Sequence, residues 1–417
     1  MERSMKERLD ISIFCLTYNH KKYIRDALNG FLTQKTNYSF QIAIFDDASN
    51  DGTSEILLEY KRKYPDKIRL FISPDNIYKS PNRNTILDNW QRQNLLGRYI
   101  AICEGDDYWI DDKKLQIQVD FMEKHKECVM TAHGSIVQDF NTGELYKRNV
   151  YSENKYLFSQ EIIMQPNGNL PTASLIIRRD VFFRPDIFPK CSVGDVSRQL
   201  YALTKGKIYY FERIMSVYRF MHQGSWTSNY SKDVKNAALH NIDFTVFLSK
   251  YNEYTNYEYN LYIKKRIKKY ANATLGALAN CQDAYERKEI ISTIQNTDLD
   301  IFKELMRIYN NYFYNNSFSE IEIKTIQQYK YVYIMGKGKY SKVIQKCFLN
   351  NKLIFNGFLV TEKEDMDIDT YALKDYPYDK TITLVVVGID QKNEDDIRKS
   401  LNKYEFDNVL CPIWFKE

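Results

Sequence analysis

Paired cysteines, zinc-type Cys/His spacings, long apolar runs and a strong charge of either sign are all missing from this sequence. Its seven cysteines (Cys15, Cys103, Cys128, Cys191, Cys281, Cys347, Cys411) are odd in number and far apart. With no CxxC pattern, neither a disulfide framework nor a structural zinc site is expected, and a reducing cytoplasm is the simplest compartment. The longest strongly apolar run, Thr381 to Ile389, is about half of what a bilayer span requires. The charged start, Met1 to Arg8, runs straight into an apolar stretch, so no signal peptide is expected. The 59 Lys and Arg against 54 Asp and Glu leave a formal charge of +5. That is too mild to argue for nucleic acid. A soluble or peripheral protein follows, and the sequons at Asn37, Asn272 and Asn315 are then chance matches.

What is present is ordinary for a folded chain: 44% hydrophobic and 27% charged residues over 417 positions. Disorder throughout is excluded, and the length corresponds to roughly two or three domains. The 34 tyrosines lift the aromatic share to 15%, which suits stacking on bases and sugars as well as half-buried packing.

Three zones follow one another. In residues 1–228, the apolar runs Ile11–Cys15, Gln41–Phe45, Ile68–Ser73 and Tyr99–Cys103 read as buried strands. Between them Tyr23–Leu32, Ser54–Tyr64 and Asn84–Leu95 carry apolar residues at helical spacing. This alternation predicts an α/β sheet, mostly parallel, whose ligands sit beyond the carboxyl ends of the strands. Residues 229–328 have almost no Gly or Pro and read as helices, among them Val234–Lys250, Tyr259–Leu278 and Asp298–Tyr314. Residues 329–417 read as a small Rossmann-like α/β domain: a strand into Gly336-Lys-Gly338, the amphipathic stretch Tyr340–Asn350, then Leu353–Val360 and Thr383–Val387.

Polar clusters stand at three of the predicted strand ends: Thr17-Tyr18-Asn19, Asp46 to Thr53, and Glu104-Gly-Asp-Asp-Tyr-Trp109. Acidic groups gathered on one rim repel each other unless a cation neutralises them. A divalent cation held by one or two carboxylates, with sites open for phosphate oxygens, suits a nucleotide diphosphate. The Asp46–Thr53 segment by itself also makes a good turn and helix cap.

The segments ISIFCLTYN (Ile11–Asn19), FDDASNDGT (Phe45–Thr53) and YIAICEGDDYW (Tyr99–Trp109) resemble family 2 glycosyltransferases of the GT-A fold. The block Ser192 to Asp195, Gly206 to Tyr209 and Met215 to His222 resembles bacterial members that decorate surface polysaccharides. The resemblance implies an inverting, Mn²⁺- or Mg²⁺-dependent transfer from a nucleotide sugar, UDP-linked, to a hydroxyl of a saccharide, lipid-linked or protein-linked glycan. It implies that Thr17, Tyr18 and Asn19 hold base and ribose, with Tyr18 stacking on uracil. Asp47 then accepts from the uracil imide, an acceptor-only carboxylate facing an N–H. Asp107 matches the metal-binding acid, with Asp106 nearer the ribose or the metal's waters. Asp195 matches the general base that takes the acceptor proton, and it is also a natural helix cap for Val196–Leu203. His222 matches a position near diphosphate and metal. Arg83 and Arg219 are candidates for phosphate contacts. Trp109 and Trp226 suit sugar platforms or core packing.

Other features stay open. Gly336-x-Gly338-x-x-Ser341 is close to a dinucleotide fingerprint but has Ser341 for its third glycine and only Glu362 as a ribose acid. An accessory domain without chemistry is the favoured reading. Lys264 to Tyr270 is basic and amphipathic, fit for an anionic membrane surface at the inner face or for a solvated helix face. The helical zone could also join two copies of the chain. A nucleotidyltransferase also uses acids on such a sheet, but no Gly-rich Lys/Arg loop follows the first strand. A non-catalytic binding protein of the same fold is the remaining rival, though no catalytic part is visibly missing.

Overall fold

The computed structural model describes residues 9–78, 80–148, 150–165, 170–191, 193–222, 233–361, 370–388 and 394–412. Trp226 and Glu362, considered above as a sugar platform and a ribose acid, lie outside the described residues. The chain divides into two compact units, Met1–Lys232 with Lys250–Ile263, and Asp233–Ser249 with Lys264–Glu417.

The first unit is built on ten strands: β1 (Ile11–Thr17), β2 (Phe40–Asp46), β3 (Ile68–Ile72), β4 (Tyr99–Ile102), β5 (Tyr108–Trp109), β6 (Cys128–Asp139), β7 (Leu145–Arg148), β8 (Lys155–Leu157), β9 (Ile176–Arg178) and β10 (Lys207–Phe220). Their order is β3-β2-β1-β4-β9-β6-β10-β5, with β7 on β6 and β8 on β10. Strands β1 to β4 pair in parallel, as the alternation of strand and helix predicts. The antiparallel members are short: β9 against β4 and β6, β7 against β6, and β5 and β8 against β10. The helices are α1 (Ile24–Leu32), α2 (Thr53–Lys63), α3 (Arg83–Asn94), α4 (Lys114–Lys124), α5 (Ser159–Met164), α6 (Arg179–Phe182) and α7 (Gly194–Leu203).

Alternation sets the core: Ile11, Ile13 and Cys15 of β1 are fully buried together with Ile24, Leu28 and Phe31 of α1. The helix presents these residues at helical spacing, and their burial favours packing by about 1.5–3 kcal/mol for each large side chain. Gly30 lets α1 approach β5, since a Cβ there would lie 2.7 Å from the Trp109 carbonyl oxygen. Trp109 is therefore a core residue and not a sugar platform. It is 3% exposed, and its Nε1–H donates to the Ala173 carbonyl at 2.9 Å.

In the second unit five parallel strands run in the order β13-β12-β11-β14-β15. They are β11 (Tyr331–Met335), β12 (Gly357–Val360), β13 (Thr370–Ala372), β14 (Thr383–Val387) and β15 (Val409–Leu410). Ala238, Ile242, Leu275 and Phe302 of the helical stretch share one core with Ile334, Val385 and Val386 of these strands. The predicted helix Asp298–Tyr314 is regular over Asp300–Ile308 and then widens into a π-turn, Tyr309–Tyr314. The Leu353–Val360 run becomes strand only at Gly357, because Asn356 is used as a bridge, its Oδ1 accepting from the Val332 N–H at 2.7 Å. No helix among the described residues is long and apolar enough to cross a membrane.

Candidate active site

The pairing of Thr17 with Asp46 brings the ends of β1 and β2 side by side. Both loops beyond them turn through left-handed backbone, at Asn19 (φ 55°) and Ala48 (φ 59°). Asparagine tolerates that region better than most residues. Asn19 then stitches the loops together, its N–H donating to Ser49 Oγ at 2.8 Å and its Oδ1 accepting from the Asn50 N–H at 2.9 Å. Asp46 is buried and accepts from the hydroxyls of Ser49 and Ser54, so it shapes the loop. Asp47 faces the other way. Its Oδ1 accepts from the Ile77 N–H at 2.7 Å, and burial raises its carboxyl above the usual range, with Ile77 and the Arg83 charge opposing. Arg83, the first residue of α3, lies with its guanidinium 4.6 Å from the Tyr78 ring centroid. Tyr18 keeps its ring 43% exposed at this rim. Thr17 does not share that exposure: it is buried, and its Oγ1 has no hydrogen-bond partner.

Beyond β4 the acidic loop folds onto β1. Gly105 fits because a Cβ there would meet Thr17 Oγ1 at 2.6 Å. Glu104 is open to solvent yet crowded by protein, as on the floor of a cleft. That crowding, followed by the charges of Asp106 and Asp195, raises its carboxyl, against Arg83 and Arg198. Burial works in the same direction on Asp106, but two imidazoles outweigh it and hold this carboxyl below the usual range. His222 Nε2 stands 2.9 Å and His20 Nε2 3.7 Å from Asp106 Oδ2. His20 Nδ1 is buried without a hydrogen-bond partner.

Asp107, matched above to the metal-binding acid, is turned inward. It is 4% exposed, its Oδ1 accepts from the Arg219 N–H at 2.9 Å, and burial with Asp106 and Glu104 pushes its carboxyl well up. Arg219 is likewise committed. Its guanidinium donates to Asp26 and to the Asp106 carbonyl and lies between the Tyr23 and Tyr108 rings. Both residues shape the acidic loop from behind.

Asp195 opens α7, with Oδ2 accepting from Thr172 Oγ1 at 3.3 Å and Oδ1 from the Val196 N–H at 2.8 Å. Electrostatic reach ties the clusters to one another: Glu104 feels Asp106, Asp195 and Arg83, and Arg83 in turn faces Asp47. Sequence reasoning named Asp47, Asp106 and Asp195 but missed Glu104 as an acting carboxylate, His20 and Arg198. The pairing of His20 with Asp106 joins residues from two different strand ends, which no local pattern shows.

A family model described as glycosyl transferase family 2 matches residues 12–183. An uncharacterized protein of Mycobacterium bovis is 39% identical over 123 residues, 30% of this chain and 34% of that protein. The chain thus spans about a third of that relative's length. The minor teichoic acid biosynthesis protein GgaB of Bacillus subtilis is 24% identical over 238 residues, 56% of this chain and 25% of that protein. Among solved structures, S. aureus TarS 1–349 in complex with UDP-GlcNAc aligns over 72% of this chain and 92% of its own, at TM-score 0.42 and 16% identity. The stretch matched by the glycosyl transferase family 2 model, residues 12–183, is the one that carries most of the acidic rim of the first sheet.

Proposed function

We propose that the first unit is an inverting glycosyltransferase moving a sugar from a UDP-linked donor to a hydroxyl of a saccharide acceptor in polysaccharide or glycan synthesis. The carrying observation is that Asp106, Asp195 and Arg83 all act on Glu104 while Arg83 also acts on Asp47, so that two strand-end loops and the starts of two helices meet at one rim. Tyr18 offers an exposed ring to the base, and Asp47 a carboxylate to its imide. Arg83 faces the phosphates.

No three His, Cys, Asp or Glu side chains among the described residues form a ready metal array. The pair that remains, Asp106 with His222, fits a cation whose other ligands are diphosphate oxygens. The unpartnered Nδ1 of the neighbouring His20 marks the same polar corner. The metal role expected of Asp107 therefore passes to Asp106, because the inward turn of Asp107 removes it from the rim. Bound Mn²⁺ or Mg²⁺ supplies Lewis-acid stabilisation to the leaving diphosphate. Asp195, steadied by Thr172, takes the acceptor proton while the hydroxyl oxygen attacks the anomeric carbon opposite the leaving group.

The acceptor setting, a lipid-linked or protein-linked glycan at the inner membrane face, is part of the same proposal. Lys264, Lys265 and Lys269 are exposed and suited to anionic lipid, whereas Arg266 is buried 4.9 Å from the Phe244 ring centroid. The test is a donor screen of UDP-, GDP-, dTDP- and CMP-sugars with Mn²⁺, reading slow donor hydrolysis and thermal shift together. One UDP-sugar giving both signals, lost with EDTA, is expected. A protein that responds to no nucleotide overturns the assignment.

A further inference from the structure

The wall of the cleft beside Asp195 holds two guanidinium groups that the proposed reaction leaves unused. Arg198 follows Asp195 by three residues on α7, so the two side chains share one helix face about 5–6 Å apart at Cβ. The guanidinium lies 4.4 Å from the Phe182 ring centroid. Its Nε is buried with no hydrogen-bond partner, and among the described residues the group makes no ion pair. It folds back over the start of the helix, where Gly194 leaves room: a Cβ at 194 would lie 3.0 Å from Arg198 Nη1. Arg184, from the loop after α6, reaches the same turn and donates through Nη1 to Ser197 Oγ at 3.0 Å and to the Gly194 carbonyl at 3.4 Å.

Charge makes this arrangement costly. Burial lowers both guanidinium groups below their ordinary range, and for Arg198 the like charge of Arg184 adds to it. The carboxylates within reach of Arg198 are Asp195, Glu104 and Asp88. Asp88 is already paired with Arg92 at 2.7 Å, and neither Asp195 nor Glu104 closes on Arg198 as an ion pair. Two cations packed beside a carboxylate without bonding to it are placed to receive an anion from outside, and a planar guanidinium fits a phosphate or carboxylate in bidentate fashion.

We propose that Arg198, backed by Arg184, recognises a phosphate or carboxylate group carried by the acceptor, which makes the acceptor an anionic saccharide or polyol phosphate. The inference rests on the reading of Asp195 as the acceptor's base. A group one helical turn from that base faces the unit being glycosylated. The donor side of the cleft is served separately by Tyr18, Asp47 and Arg83.

The experiment is titration calorimetry on the whole chain at low salt with Mn²⁺, with and without UDP. The probes are glycerol 3-phosphate and glucuronate against neutral glycerol and glucose. The anionic probes are expected to bind alongside UDP, at least about tenfold more tightly than their neutral counterparts. Arg198→Met should lose about tenfold in anion affinity, Arg198→Lys should retain part of it, and both should bind UDP within about threefold of the parent. Equal binding of charged and neutral probes, or anion binding unchanged in Arg198→Met, overturns the proposal. Competition between the probes and UDP, with UDP weakened in Arg198→Met, also overturns it and gives the guanidinium to the donor diphosphate. A chain that binds no UDP but loses anion binding on Arg198→Met refutes the nucleotide reading and leaves the anion site standing.

Discussion

Strands β2 and β4 of the first unit run out into Asp46, Asp47, Glu104 and Asp106, whereas β11 and β14 of the second run out into Gly336 and Gly388. β1 pairs in parallel with β2 and β4, as β11 does with β12 and β14, and both units turn from that first strand into a helix. The rims nevertheless do opposite things. Around β4 the packing forces carboxylates together, which raises Glu104, while His20 and His222 hold Asp106 below its usual range against burial. Around β11 the packing closes. Ser341 Oγ donates to the Gly388 carbonyl at 2.7 Å, and a Cβ on Gly388 would lie 2.7 Å from Ser341 Cα. The close helix–strand approach that a third fingerprint glycine allows is supplied here from the opposite strand, by Gly388. A parallel sheet thus offers a place for a ligand, but only the first rim carries an electrostatic cost that a ligand would relieve.

The sharpest break between the two rims should come from Asp195→Asn. An amide cannot accept the acceptor proton, so transfer should fall by about 10²–10⁴-fold while UDP affinity stays within a few-fold. Product release by mass spectrometry and a UDP titration check both halves. A fall in UDP affinity equal to the fall in rate would make Asp195 a donor residue instead. Next in size is a contrast inside one motif. Asp106→Ala should weaken Mn²⁺-dependent UDP binding by about tenfold, since a charged ligand is lost. Asp107→Ala should act chiefly on stability, costing about 1–3 kcal/mol through the unpaired Arg219 N–H, and lower Tm by several degrees. If Asp107→Ala removes metal-dependent binding without lowering Tm, the two roles are reversed.

The rim could be located from residues alone because an apolar run ending in acids is a local pattern, as in Ile42 to Asp47 or Tyr99 to Asp107. Which acid points where could not be read that way. Asp107 turns inward through Arg219, 112 positions away, and Asp106 is held by His222, 116 positions away. Trp109 is equally ambiguous until Ala173 supplies its hydrogen-bond partner from 64 positions on. The parallel strands β1 to β4 follow from the alternation of strand and helix. The antiparallel strands β5, β8 and β9 are two or three residues long, too short to carry any periodicity. The helical stretch looked separate because it has almost no Gly or Pro, but its apolar face finds its partner in β11 and β14.

Alanine in place of single glycines gives the smallest effects and the finest comparison of the two rims. Gly105→Ala drives a Cβ to 2.6 Å from Thr17 Oγ1, and Gly388→Ala drives one to 2.7 Å from the Ser341 backbone. Each should cost about 1–3 kcal/mol by overpacking, but only Gly105→Ala should also disturb UDP binding, because it lifts the acidic loop from β1. Gly338→Ala is the control within the fingerprint. Its φ is −77°, and a Cβ there meets nothing within 4 Å, so stability should change by less than about 0.5 kcal/mol. A backbone that must approach a pyrophosphate would not tolerate that methyl group, so a dinucleotide site at Gly338 would betray itself by losing its ligand at unchanged Tm. Calorimetry of the parent and Gly338→Ala with NAD and UDP decides it. Identical nucleotide responses keep the second unit free of nucleotide chemistry, and a selective loss in Gly338→Ala would make the two rims alike after all.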